Sequence, residues 1–296
     1  MKRFLAPLIV FFAAMALAVS CASSPPPAQP APQPQAAQPL PPEKPAQADT
    51  AGPSLRVTFS PKYFSPNGDK DELAIYLVAV DESPLGSWKV EIHEPEPPYP
   101  LFYQWEGKGK PPEMLKWNGK STAGELVQSA MDYPFVFTAS DVPGNTSTLK
   151  SFIEVDVFVI SDGKNLRIQI PSVVFDSNSG NWDNLSTEVI AKNDWILKRI
   201  AQILNKFPDY QVRVEGHANP TVDPRDKAAS QLEETRELLP LSEIRAMAIV
   251  DYLVKQGVDP KRLSSYGMGG ERPVAAWTDK DNWWKNRRVE FLLIKP

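Results

Sequence analysis

The chain has 296 residues, a formal charge of −4 and an ordinary apolar share, a length that suggests about two domains. Without Lys2 and Arg3 of the first twenty residues the charge falls to −6 (−4 minus 2), which argues against nucleic acid, whose binding rests on basic surface. A single cysteine, Cys21, excludes an intramolecular disulfide, and two histidines, His93 and His217, are too few for most zinc sites.

Residues 1–20 have a short basic start and then an apolar run. The run is too short for an ordinary membrane span and reads as a signal peptide. It ends Ala18-Val19-Ser20-Cys21, which resembles the lipobox of bacterial lipoproteins, with Ala18 where leucine is usual. The resemblance implies cleavage before Cys21 and acylation of its thiol with palmitate-class chains, enough for stable anchoring. From Cys21 to residue 53 the chain is proline, alanine and glutamine with almost no large apolar side chain. No core forms from such a composition, and the segment reads as a disordered tether behind the lipidated cysteine. Its prolines stiffen it at about 3.1 Å per residue, a reach on the order of 100 Å.

Residues 54–161 alternate with period two in LRVTF, LAIYLVAV, WKVEI, FVFTA and FIEVDVFVI, separated by polar turn clusters. This pattern predicts an antiparallel β-sandwich. FSPNGDKDEL and LKWNGKSTAGELVQSAMDYPFVFTASDVPGN resemble the immunoglobulin-like domain of flagellar hook-capping proteins, with Lys70 and Asn118 departing from its pattern. Asn67, Asp69 and Asp71 alternate like the start of a calcium loop. The glycine and glutamate that such a loop needs at its sixth and twelfth positions are Glu72 and Val78 here. A structural turn and a cation site both stay open, and nothing else in the chain calls for a metal or cofactor.

Residues 162–296 read as strand, helix, strand, helix, strand, strand. Strands are expected at 166–176, 210–217, 262–269 and 287–294. One helix is marked by the stripe Ile196, Ile200, Ile203, Leu204 and Phe207. The other covers 242–256, with Ser242 as its N-cap, Ala246, Ile249, Val250, Leu253 and Val254 inward and Gly257 beyond its end. The β-α-β-α-β-β order predicts an α/β sandwich on a mixed sheet. With a capped start at Ser242, Arg245 occupies the third helical position, where a cation is locally unfavourable by about 0.3–1 kcal/mol. Helix amides plus a guanidinium would make a carboxylate site; pairing of Arg245 with Glu243 or Glu215 is the competing reading.

VEGHANP, LPLSEIRAMAIVDYLVKQGVDPKRLSSYGMGGERPVA and NRRVEFLL, in that order, resemble the OmpA-like C-terminal domain family, which includes peptidoglycan-associated lipoproteins. The resemblance implies non-covalent binding of the peptidoglycan stem peptide, with an aspartate on the ammonium and the helix arginine on the carboxylate. Arg245 matches that arginine, and Asn219 stands where the aspartate is usual. An amide still accepts a hydrogen bond from an ammonium, and such bonds contribute about 1.5–3 kcal/mol, but the charge is gone. Three explanations compete: an altered third residue in the wall peptide, ornithine in place of diaminopimelate; a substitute charge from Asp176 or Asp223; or loss of binding. Asn286 and Arg287 are further candidate contacts, with internal pairing of the Asn286-Arg287-Arg288 run as the alternative. The long charged segment TVDPRDKAASQLEETRELLP is expected to cover or reshape the pocket. His217 and the tryptophans read as structural.

The expected protein is therefore a multidomain lipoprotein lipid-anchored in the cell outer membrane, its folded domains in the periplasm, holding peptidoglycan. The alternative is a scaffold with weak or lost wall binding whose first domain binds a protein partner. No HExxH or GxSxG run occurs, and an enzyme is not expected.

Overall fold

The computed structural model describes residues 49–66, 72–171 and 173–296. The expectations for the leader, for Cys21 and the tether as far as residue 48, and for Asn67, Asp69 and Asp71 lie outside the described residues. Described first are β1 (Ser54–Ser60), β2 (Tyr63–Phe64), β3 (Leu73–Val80), β4 (Leu85–His93), β5 (Leu101–Lys108), β6 (Met114–Trp117), β7 (Asp132–Asp141) and β8 (Thr146–Val155). They form two sheets, ordered β1-β3-β6 and β2-β8-β7-β4-β5, antiparallel except for the β2–β8 pair. Alternation sends Leu73, Ile75, Leu77 and Ala79 of β3 inward, and Tyr133, Phe135, Phe137 and Ala139 of β7 likewise. Both sheets thus contribute to one core, in which Phe59 meets Phe135 edge-on at 5.1 Å.

The chain continues through β9 (Ile160–Asp162), β10 (Asn165–Ile170), α1 (Thr187–Asn205), β11 (Gln211–Gly216), α2 (Lys227–Glu233), α3 (Leu239–Lys255), β12 (Leu263–Gly267) and β13 (Val289–Ile294). The mixed sheet is ordered β12-β11-β13-β10-β9, parallel only between β11 and β12. Ser186 caps α1 by accepting from the Val189 amide, and Ile196, Ile200, Ile203 and Leu204 bury against the sheet core.

Three local expectations are corrected. The strand expected at 166–176 ends at Ile170, because Pro171 has no N–H for the ladder. The helix expected from Ser242 begins at Leu239, continuous with a π-helical turn Glu234–Leu238 that follows α2. Ser242 is buried inside it, donating to the Leu239 carbonyl and accepting from the Gly269 amide. Pro240 sits in the first turn of α3, where proline is tolerated. On α3, Ala246, Ile249 and Leu253 are buried but Val254 is exposed.

The β-rich and α/β parts are tied together by ion pairs, one of them buried. Trp284 belongs to the core of the first part. Its neighbour Lys285, buried, places Nζ 2.9 Å from Glu94 and 2.7 Å from Glu125. Arg199 pairs with Asp156 at 2.8 Å and Lys192 with Asp132 at 2.9 Å. Burial raises the Glu94 pKa and Lys285 opposes the rise. Removing one member of a buried pair leaves an uncompensated charge at a cost of about 3–5 kcal/mol. Lys285→Met is therefore expected to lower the urea unfolding free energy at pH 7 by about that amount.

Candidate functional site

The loop after β10 meets α3 closely at Gly180, where a Cβ would stand 2.6 Å from Ile244 Cγ2 and 3.0 Å from its carbonyl oxygen. That approach sets Ser179 beside Arg245, whose Nε donates to the Ser179 carbonyl at 3.2 Å. The Arg245 guanidinium lies 5.0 Å over the Phe175 ring. Among the described residues neither Arg245 nor Arg287 forms an ion pair; every other arginine contact to an acid lies elsewhere. Burial, and then the neighbouring charge of Arg287, press the Arg245 pKa below its usual value. Both arginines line a cavity of about 580 Å³ together with Phe175, Ser177, Trp284, Glu96, Met131, Asp132 and Lys192. The Trp284 indole N–H has no acceptor among the described residues. The cavity thus presents a half-buried guanidinium, Arg245, stacked over Phe175 and an exposed one, Arg287, neither ion-paired among the described residues, an arrangement suited to a carboxylate.

Arg245 is not, however, at a helix start. It is the seventh residue of α3 and the chain before it is already helical. The expected contribution of free first-turn amides is therefore withdrawn, and the guanidiniums remain the anion-binding groups.

Asn219 and Asn286 sit together in a second cavity of about 520 Å³, bounded by α2 and the π-helical turn. The buried Asn286 is a hub. Its Oδ1 accepts from the Val274 and Ala275 amides at 2.8 Å each, and its Nδ2 donates to Asn219 Oδ1 at 2.8 Å and to the Ala275 carbonyl at 3.1 Å. Asn219 Nδ2 donates to the Pro220 carbonyl at 3.1 Å. An amide at 219 can accept from one partner and donate to the other, which a carboxylate cannot. Asp176 accepts from Asn184 and Asp223 pairs with Arg225; neither lines either cavity. The expected gathering of Asn219, Arg245, Asp176, Asp223, Asn286 and Arg287 is thus divided into Arg245 with Arg287, Asn219 with Asn286, and two acids apart.

The long charged segment walls the second cavity. Glu233 accepts from the Thr221 and Val222 amides and the Thr221 hydroxyl, and Glu234 accepts from the Gly270 amide at 2.8 Å. Gly269, at φ +50°, leaves room for that carboxylate, since a Cβ there would fall on Glu234 Oε1. Glu96, Phe175 and Glu234 were not singled out in the sequence; only folding brings them to cavity walls.

Behind the turn, Glu215, His217 and Glu290 place candidate ligand atoms within 4.8 Å of one another. The two carboxylates are already taken. Arg288 and Arg167 pair with Glu290, and Arg213 and Arg272 lie on Glu215. Arg167 also pairs with Asp162, so four guanidiniums face three carboxylates and leave the cluster positive, which disfavours a metal cation. Burial of Glu290 pushes its pKa up, but Arg288 and its other cationic neighbours hold it below the usual range. Burial and the Arg288 charge lower the His217 pKa to about 4.

Residues 182–287 match the model of the OmpA family. The peptidoglycan-associated lipoprotein of Agrobacterium fabrum is 38% identical over 113 residues, which are 38% of this chain and 57% of that protein. That of Mesorhizobium japonicum is 40% identical over 113 residues, 38% of this chain and 60% of that protein. This chain therefore spans about three fifths of the length of these curated relatives. Among solved structures, the cell wall anchor of the T6SS from Pseudomonas aeruginosa aligns at 24% identity and TM-score 0.37, covering 47% of this chain and 88% of that one. Residues 182–287, within the α/β part, form an OmpA family domain.

Two outcomes are expected. Asn219→Asp leaves the Pro220 carbonyl without its donor and sets a carboxylate oxygen against it, so urea unfolding should show a loss of about 1–3 kcal/mol. His217 is neutral in the folded protein down to about pH 4, whereas the unfolded chain takes up a proton near pH 6.5. Its contribution is full above pH 6.5 and is lost as pH falls from there towards 4. His217→Gln should flatten the fall in urea midpoint across that window relative to wild type.

Proposed function

We propose that this chain is a lipid-anchored envelope protein that grips the peptidoglycan stem peptide non-covalently and so links a membrane to the wall. The observation that carries the reading is the pair Arg245 and Arg287, facing one cavity without an acid partner. Cations held in that state favour a carboxylate ligand, and a stem-peptide residue such as diaminopimelate supplies one; ornithine supplies only the amine. The OmpA family match and the peptidoglycan-associated lipoproteins among its relatives support the same ligand. Binding of this kind needs no turnover, and the role is not enzymatic.

In this reading residues 1–20 are the signal peptide, and Cys21 carries the lipid in the outer membrane. The segment to residue 53 is the tether, 54–161 an immunoglobulin-like β-sandwich and 162–296 the periplasmic wall-binding domain. The scaffold alternative, with a protein partner on residues 54–161, draws on one observation: Asn219 is spent on Asn286 and Pro220 rather than facing Arg245. Co-sedimentation with purified sacculi separates the two. Wild type is expected to sediment, and Arg245→Ala to sediment about tenfold less, the factor that about 1.4 kcal/mol represents. Wild type that stays in the supernatant would sink the wall-binding reading.

A further inference from the structure

The cavity of Arg245 contains acids as well as cations, and they come from the other part of the molecule. Asp132, on β7, is neutralised by Lys192 at 2.9 Å. Glu96, in the turn between β4 and β5, has only its backbone engaged: its carbonyl accepts from the Tyr99 amide, while its half-buried carboxylate has no hydrogen-bond or ion-pair partner among the described residues. One cavity therefore holds two guanidiniums without an acid and one carboxylate without a cation. Asn219, at the position where an acid would be expected to hold an amine, faces a different cavity.

We infer that Glu96, from the first β-rich part, holds the ammonium of the same wall residue whose carboxylate lies on Arg245 and Arg287. The inference rests on the wall-binding reading above and adds one residue to it: Glu96, so that the ligand bridges the two parts of the chain. A wall residue with one free amine and one free carboxylate would neutralise all the unpaired charge of the cavity except one cation. A carboxylate alone would leave Glu96 unmatched. The buried ties from Lys285 to Glu94 and Glu125 hold the turn that carries Glu96 in place, since Glu94 is two residues away. Glu234 also has a carboxylate oxygen without a hydrogen-bond partner among the described residues. It lines the second cavity, away from the arginines.

The test is co-sedimentation with sacculi containing diaminopimelate, either native or with their free amines acetylated. Wild type is expected to bind acetylated sacculi on the order of tenfold less than native sacculi, as loss of a charged hydrogen bond implies. Glu96→Gln is expected to bind both at the level wild type shows for the acetylated wall. A merely structural role for Glu96 would not abolish that discrimination. If Glu96→Gln still discriminates while Arg245→Ala loses binding, the inference falls and the wall-binding reading stands. If Glu234→Gln, and not Glu96→Gln, loses discrimination, the amine belongs to the second cavity. If wild type does not sediment with native sacculi, both fall together.

Discussion

A single ammonium, Lys285 Nζ, is held between the carboxylates of Glu94 and Glu125 with almost no access to water. Such burial is costly unless geometry and hydrogen bonding compensate, and here it fixes the segment Trp284–Arg288 in register. Each residue of that segment then does something different. Trp284 fills the core of the first part, Asn286 bonds the loop amides and Asn219, Arg287 faces the cavity, and Arg288 pairs with Glu290. A slip of one position would put a charge in the apolar core and leave Glu94 and Glu125 without their cation.

The chain uses its arginines in two contrasting ways. Around His217, guanidiniums outnumber carboxylates, yet each has an acid beside it, and the imidazole is kept neutral. At the cavity, Arg245 and Arg287 repel one another and neither has an ion-pair partner among the described residues. Consecutive residues, Arg287 and Arg288, fall on opposite sides of this division. A half-buried cation without an ion-pair partner, as Arg245 is among the described residues, opposes folding, and natural proteins concentrate such departures from local consistency at functional sites.

Much of the architecture is readable from pattern. β3 and β7 alternate cleanly, and the stripe on α1 is continuous, because in each a single face is buried. β5 carries a weaker signal: Tyr103 and Trp105 alternate with Gln104 and Glu106 as a strand should, but a proline-rich run precedes them and Gly107 interrupts the pattern. α2 carries no apolar stripe, and its one large apolar residue, Leu232, is half exposed. Its helical state depends on Asp226 capping the Ala229 amide and on Glu233 gathering the Thr221–Val222 backbone. That continuity also moved the start of α3 away from Ser242. At the site, Arg245 was legible because a motif marks it. The separation of Asn219 from it was not, because Asn219 is drawn off by Asn286, a partner 67 positions later.

The interlock has a mechanical consequence. Tension applied upstream of Ser54 enters through β1, which is paired along its whole length with β3 and loaded in shear. Beyond it, the load towards α3 is shared between the covalent link of residues 156–159 and the contact between the two parts, where Lys285, Arg199 and Lys192 each grip an acid of the first part. Those ion pairs act in parallel, so a pull would have to strain several together rather than unzip them one at a time.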